Sequence, residues 1–190
     1  MRIYGGESFM PKYIALLRGI NVSGKNKIVM SDLKKGFEEL NYHGVVTYIN
    51  SGNVIFSTDI LNKAHIVADI TSMIKNKFGF DIPIAIIEPE ELAEILLKAP
   101  EWWGNDNKEI YDNLIILIPP ITFEEVYGEI GEAKQEYEKI SNYKNCIYWS
   151  FVRKDYSKTN WMRTASSKIN NKVTIRTGNT MRKLLELSKR

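Results

Sequence analysis

Histidine and cysteine are almost missing from this chain. Of its 190 residues, two are histidine and one is cysteine. His43 and His65 stand apart from any serine–aspartate or cysteine partner and from metal-ligand spacing, which argues against a histidine-based triad and against a bound metal. No P-loop, dinucleotide-binding fingerprint or nucleophile elbow occurs, so no cofactor is expected. Cys146 alone excludes an intramolecular disulfide, and its place in the apolar run Cys146-Ile147-Tyr148-Trp149 makes it a small core residue. No apolar run approaches the ~18 residues that a membrane span requires, and the N-terminus lacks the h-region of a signal peptide. A soluble, cytoplasmic protein is expected.

Carboxylates are missing from one stretch in particular, Leu16-Leu17-Arg18-Gly19-Ile20-Asn21-Val22-Ser23-Gly24-Lys25-Asn26-Lys27. It follows an apolar run, Tyr13–Leu17, that reads as a buried strand. It precedes Ser31, which reads as the N-cap of a helix carrying Leu33, Phe37 and Leu40 on one face. A strand-to-helix loop with cations and glycines can offer positive charge and backbone N–H groups to an anion. On this reading Arg18, Asn21, Lys25 and Lys27 hold an anionic group. The same letters also describe a loop whose asparagines and arginine satisfy its own backbone.

Charge is unevenly spread, although the formal net charge is only +3. Residues 88–138 hold 14 acids against 3 bases, and residues 152–190 hold 11 bases against 2 acids. Two faces that compensate each other would give this pattern, and so would a basic surface facing an anionic partner.

Apolar runs punctuated by glycine, proline and asparagine give the element order. Tyr13–Leu17 is a strand and Ser31–Leu40 a helix weakened by Gly36. Val45–Ile49 and Val54–Phe56 form a hairpin around Asn50-Ser51-Gly52-Asn53. Asp59–Phe78 has helical spacing and is stopped by Gly79. Ile82–Ile87 is a strand placed at an edge by Pro83. That order, β-α-β-β-α-β, is the ferredoxin-like split unit. Glu90–Lys98 is a connecting helix, and a loop with Trp102-Trp103 follows. The order then repeats. Leu114–Ile118 is a strand, and Thr122-Phe123-Glu124-Glu125 has capping-box spacing and opens a helix to about Gly131. Tyr137–Ser141 and Cys146–Val152 form a hairpin, Asp155–Lys168 reads as helical, and Val173–Arg176 is a strand. Asn179 caps a last helix with Met181, Leu184 and Leu185 inward. The fold class expected is α+β, two ferredoxin-like (βαββαβ) halves in one chain plus a C-terminal helix. Its parts are a flexible extension over 1–10, a first half over 11–88, a connecting helix and loop over 89–111, and a second half over 112–190.

Several of these stretches carry a resemblance. Tyr13-Ile14-Ala15-Leu16-Leu17-Arg18-Gly19-Ile20-Asn21-Val22, Lys25-Asn26-Lys27 with Met30, and Thr47-Tyr48-Ile49-Asn50-Ser51-Gly52-Asn53-Val54-Ile55-Phe56 resemble the bacterial family known as domain of unknown function 1697. Thr174-Ile175-Arg176-Thr177-Gly178-Asn179-Thr180 and Lys183-Leu184 match its closing motif, with Gly178 where the family usually has an aromatic residue. Ser157-Lys158 resembles a further family pair. The resemblance runs from Pro11 to the C-terminus and implies two ferredoxin-like halves in a cytoplasmic bacterial protein. It carries no established activity.

Three classes of function remain. The first is a protein that binds a phosphate-bearing ligand, nucleotide or RNA included, through Arg18, Asn21, Lys25, Lys27 and Asn53, with Arg176 and Asn179 repeating the logic at a second strand-to-helix junction. Lys158, Trp161 and Arg163 interleave an aromatic with cations and form a candidate nucleic-acid surface, although an amphipathic helix with Trp161 inward gives the same letters. The second is a small hydrolase acting on a phosphorylated or acyl-phosphate substrate. The ferredoxin-like fold hosts a phosphatase chemistry using an arginine and an asparagine, roles in which Arg18 and Asn53 can be cast by analogy of fold. The third is an interaction module whose charged faces pair with another chain.

Overall fold

A computed structural model describes residues 3–4, 7–8, 10–105 and 107–189, with side chains for 10–105 and 107–189. The expected extension over 1–10 lies almost wholly outside the residues whose side chains are described. Its backbone pairs Ile3–Tyr4 (β1) with Glu7–Ser8 (β2), antiparallel. By contact the chain divides into Met1–Pro89 with Leu187–Arg190, and Glu90–Glu186.

The first unit holds β3 (Lys12–Leu17), α1 (Met30–Glu39), β4 (His43–Tyr48), β5 (Asn53–Ser57), α2 (Lys63–Phe78) and β6 (Ile84–Ile87). Its antiparallel sheet has the order β4-β5-β3-β6, the ferredoxin-like arrangement. Pro83 precedes β6, an edge strand. Tyr13, Ala15, Leu17, Val54 and Phe56 alternate onto the face that receives Leu33 and Phe37 of α1 and Ile66, Ile70 and Ile74 of α2. Gly36, which sequence alone marks as a weak point, lets the helices approach: a Cβ there would lie 2.5 Å from Met73 Sδ. The N-cap of α1 is Val29, not Ser31. Val29 is extended and its carbonyl accepts from Asp32 and Leu33 N–H at 3.0 Å, so the cap lies two residues earlier than expected. Asn62 caps α2 and Gly79 ends it in the left-handed conformation.

The second unit holds α3 (Pro89–Leu97), which begins at the boundary, β7 (Ile110–Leu117), α4 (Phe123–Ile130), β8 (Glu138–Tyr143), β9 (Cys146–Val152), β10 (Val173–Thr177) and the start of α5 (Gly178–Ser188). Its sheet order, β10-β7-β9-β8, repeats that of the first unit with strands in equivalent places. Thr122 and Glu125 form the capping box of α4.

Where the sequence predicts one helix over Asp155–Lys168, the chain makes two 3₁₀ segments, Arg153–Lys158 and Trp161–Ala165, and a third follows at Asn170–Lys172. The cause lies at residues 159–161. Asn160 N and Trp161 N donate to the Glu138 carboxylate at 2.6 and 3.1 Å, so neither is spent on a continuing helix. Asn160 Nδ2 donates to the carbonyls of Ile130 and Glu132 at 2.8 and 2.9 Å, and Trp161 Nε1 to that of Gly131 at 3.1 Å. The segment therefore closes the C-terminus of α4, whose last carbonyls lack helical partners. Trp161 is fully buried beside Ile115, Val126, Ile130 and Trp149.

Asn179 is not the cap of α5. Thr177 Oγ1 accepts from Thr180 N at 3.2 Å and takes that role, leaving Asn179 in the first turn. Trp103 packs within the second unit, its Nε1 donating to Asn113 O at 2.8 Å and its ring edge-on to Tyr148.

Candidate functional site

The second unit places four chain segments around one cleft. β7 lies between β10 and β9, and antiparallel register fixes what stands beside its first residues. Ile110 pairs with Val152, so Arg153 follows directly and its N–H donates to Glu109 O at 2.8 Å. Asn113 pairs with Thr177, so α5 begins beside the same end of β7. The loop before β7 closes the ring. The result is a cleft of about 550 Å³ lined by Lys108, Tyr111, Asp112, Arg153, Asn179 and Arg182, with Asn105, Asn107, Ile110 and Thr177 completing the wall. That volume lies in the range of small-molecule sites.

Among the described residues, three cations meet one carboxylate there. None of Lys108, Arg153 and Arg182 is in an ion pair among the described residues. Arg153 lies over the Tyr111 ring, its Cζ 4.6 Å from the centroid. Arg182 lies over Trp103 at 5.6 Å and donates to Gly104 O at 2.6 Å and Asn179 Oδ1 at 3.0 Å. Both guanidinium groups are thus positioned by aromatic faces or carbonyls while keeping their charge. Asp112 accepts from Gly104 N at 2.9 Å and from Ser150 Oγ. The first turn of α5 adds the positive end of a helix dipole, roughly +0.5 of an elementary charge. Asn113 Nδ2, on the strand face shared with Tyr111, is buried with no hydrogen-bond partner among the described residues.

A larger groove, about 640 Å³, has the opposite character. It is lined by Trp102, Phe123 and Tyr127, with Lys139 against Glu132 and Glu138. Its charge balance does not favour an anion.

The residues singled out in the sequence fall into separate places. Asn179 lines the cleft. Arg176, one position before Thr177, is buried, with NH1 donating to Thr174 Oγ1 at 2.8 Å and Ile175 O at 2.9 Å. In the first unit, Asn21 is absorbed by its own loop: Nδ2 donates to the carbonyls of Ile28 and Asn50 at 2.9 and 3.0 Å, and Oδ1 accepts from Ile28 N at 2.9 Å. Arg18 is half-buried, and burial pulls its guanidinium below the ordinary range. Lys25 and Lys27 are exposed. Asn53 is fully buried, its Nδ2 donating to Tyr48 O at 3.0 Å and Ser51 Oγ at 2.9 Å. A buried, engaged amide cannot orient an attacking water, so the phosphatase analogy loses its asparagine. The aromatic member of the nucleic-acid surface is also corrected, because Trp161 has no exposed ring face to stack on a base. Lys158 pairs with Asp155 at 2.8 Å, and Arg163 NH1 donates to Asn160 Oδ1 at 3.3 Å.

Lys108, Arg153 and Arg182 were not picked out from the sequence. The excess of bases after residue 152 covers Arg153 and Arg182 without saying that they converge, and Lys108, inside the acidic stretch 88–138, has no such signal. Among the described residues, no group of three or more His, Cys, Asp or Glu is placed to hold a metal ion. No helix there is long and apolar enough to cross a membrane.

The model of the family described as "Protein of unknown function (DUF1697)" matches residues 10–148. The chain belongs to that family. Among solved structures, this DUF1697 member is similar to the conserved bacterial protein SP0830 from Streptococcus pneumoniae. The two are 27% identical, the match covers 95% of this chain and 99% of that one, and the TM-score is 0.82. No curated protein matches. Within this DUF1697 chain the cleft straddles the end of the family match, with Asn105–Asp112 inside it and Arg153 and Thr177–Arg182 beyond.

Proposed function

We propose that the protein binds a phosphate-bearing anion in the cleft at the start of β7. The observation that carries this reading is the convergence of Lys108, Arg153 and Arg182, from three separate segments, on a cavity of about 550 Å³ with Asp112 as the carboxylate among its described lining residues. Arginine supplies a planar fork that matches two oxygens of a phosphate, and lysine supplies a point charge. The α5 N-terminus adds to the same potential. Binding is favoured over hydrolysis because Asp112, the carboxylate among the described lining residues, already accepts from Ser150 Oγ and Gly104 N. That leaves it poorly disposed to act as a base.

Isothermal titration with inorganic phosphate at low ionic strength tests the reading. The parent should bind saturably, and Arg153→Ala/Arg182→Ala should bind at least tenfold more weakly with its fold intact. Absence of binding in the parent, or equal binding in the variant, contradicts it.

A further inference from the structure

Resting on that reading, we infer that the cleft takes a phosphorylated sugar or polyol and not a nucleotide. A site for a nucleobase presents an aromatic face on which the base can stack. Tyr111 is the aromatic residue that lines this cleft, Trp103 lies under the lining Arg182, and both rings are spoken for. The Tyr111 face carries Arg153 at 4.6 Å. Trp103 is only 6% exposed, meets Tyr148 edge-on at 5.4 Å, and carries Arg182 at 5.6 Å. Displacing either guanidinium to admit a base would remove the charge that holds the phosphate.

The rest of the wall is built for hydroxyl groups. Asn107 and Asn179 present amide N–H donors, their oxygens already accepting from Glu109 N and Arg182 NH1 at 2.9 and 3.0 Å, and Asn105 presents an amide oxygen, its Nδ2 donating to Glu101 O at 3.3 Å. Asp112 is an acceptor only, with one bond observed on each oxygen. A carboxylate has about four acceptor positions, so it can receive further donors. It also repels a second phosphate brought against it. A hydroxyl donates to Asp112 and accepts from a neighbouring asparagine, whereas a second anionic group does neither without cost. The ligand chemistry that fits is therefore one phosphate at the cations and several hydroxyls toward Asp112 and the asparagines.

The test is a calorimetric panel on the full chain, with inorganic phosphate, ribose 5-phosphate, glucose 6-phosphate and AMP at low ionic strength. At least one sugar phosphate should bind tenfold or more tighter than both inorganic phosphate and AMP. Asp112→Asn, checked for an unchanged melting transition, should weaken that sugar phosphate at least fivefold and leave inorganic phosphate unweakened. If AMP binds as tightly as the best sugar phosphate, or if no sugar phosphate exceeds inorganic phosphate, the inference is overturned while the anion site stands. If nothing in the panel binds, inorganic phosphate included, the anion site itself fails.

Discussion

Glu138 Oε2 accepts the indole N–H of Trp149 at 2.9 Å, across the β8–β9 pair. The same carboxylate accepts from Asn160 N, Trp161 N and Lys134 N. A buried carboxylate held by neutral donors, with no cation in contact among the described residues, here stands in for an ion pair. It joins an edge strand, a tryptophan of the core and the turn that closes α4.

Glu138→Ala should therefore be among the most damaging single changes in the second unit. It takes the acceptor from the Trp149 indole and from the backbone N–H groups of Asn160, Trp161 and Lys134, and each of these left buried without a partner costs about 1–3 kcal/mol. Urea unfolding should show a loss of about 3 kcal/mol or more, with Glu138→Gln losing less because an amide oxygen still accepts. A loss under about 1 kcal/mol for Glu138→Ala would mean that water replaces the carboxylate.

Two glycines with the same backbone angle separate strain from packing. Gly52 and Gly24 both have φ of +76°. A Cβ on Gly24 meets nothing within 4 Å, whereas on Gly52 it would lie 2.8 Å from Leu17 Cβ and 2.9 Å from Ile20 Cδ1. Gly24→Ala should cost only the left-handed backbone, about 1–2 kcal/mol. Gly52→Ala adds overpacking, typically a further 1–3 kcal/mol. Thermal melts of the two variants side by side should rank Gly52→Ala well below Gly24→Ala, and equal melting temperatures would refute the packing term.

The alkaline limb of stability should carry the signature of Cys146. Burial, with Glu91 adding to it, pushes this thiol from 9.0 up to about 12. Burial acts in the same upward direction on the hydroxyls of Tyr42 and Tyr148. An acid whose folded pKa is raised is neutral in both states at low pH, so its contribution is fully present below the unfolded pKa. As pH rises above 9.0 toward 12, the unfolded chain ionises first and stability falls. One proton gives at most about 1.4 kcal/mol per pH unit. Denaturant midpoints between pH 8 and 10.5 should decline, and Cys146→Ala should flatten the first part of that decline. A parent midpoint constant over the range would contradict the burial assigned to the thiol.

Much of the fold was legible because it is written in local signals. The Thr122–Glu125 capping box, the Gly79 stop and the two hairpins each state an element boundary, and their order gives both halves. The stretch after Val152 was misread because Tyr156, Trp161 and Arg163 have the spacing of an amphipathic helix. A carboxylate more than twenty positions earlier decides otherwise, and no local pattern reveals it. The site was less legible for the same reason. Arg18 and Asn21 look like ligand residues in a loop motif, yet Asn21 serves its own backbone. Arg153 and Arg182 have unremarkable neighbours, and only strand register brings them together.

The most direct test of the cleft as an anion site is a backbone amide NMR titration of the full chain with inorganic phosphate. The account predicts saturable shifts concentrated at Lys108, Tyr111, Arg153, Asn179 and Arg182, weakening as salt is raised. Shifts centred on residues 18–27 instead, or spread over the surface without saturation, would contradict it.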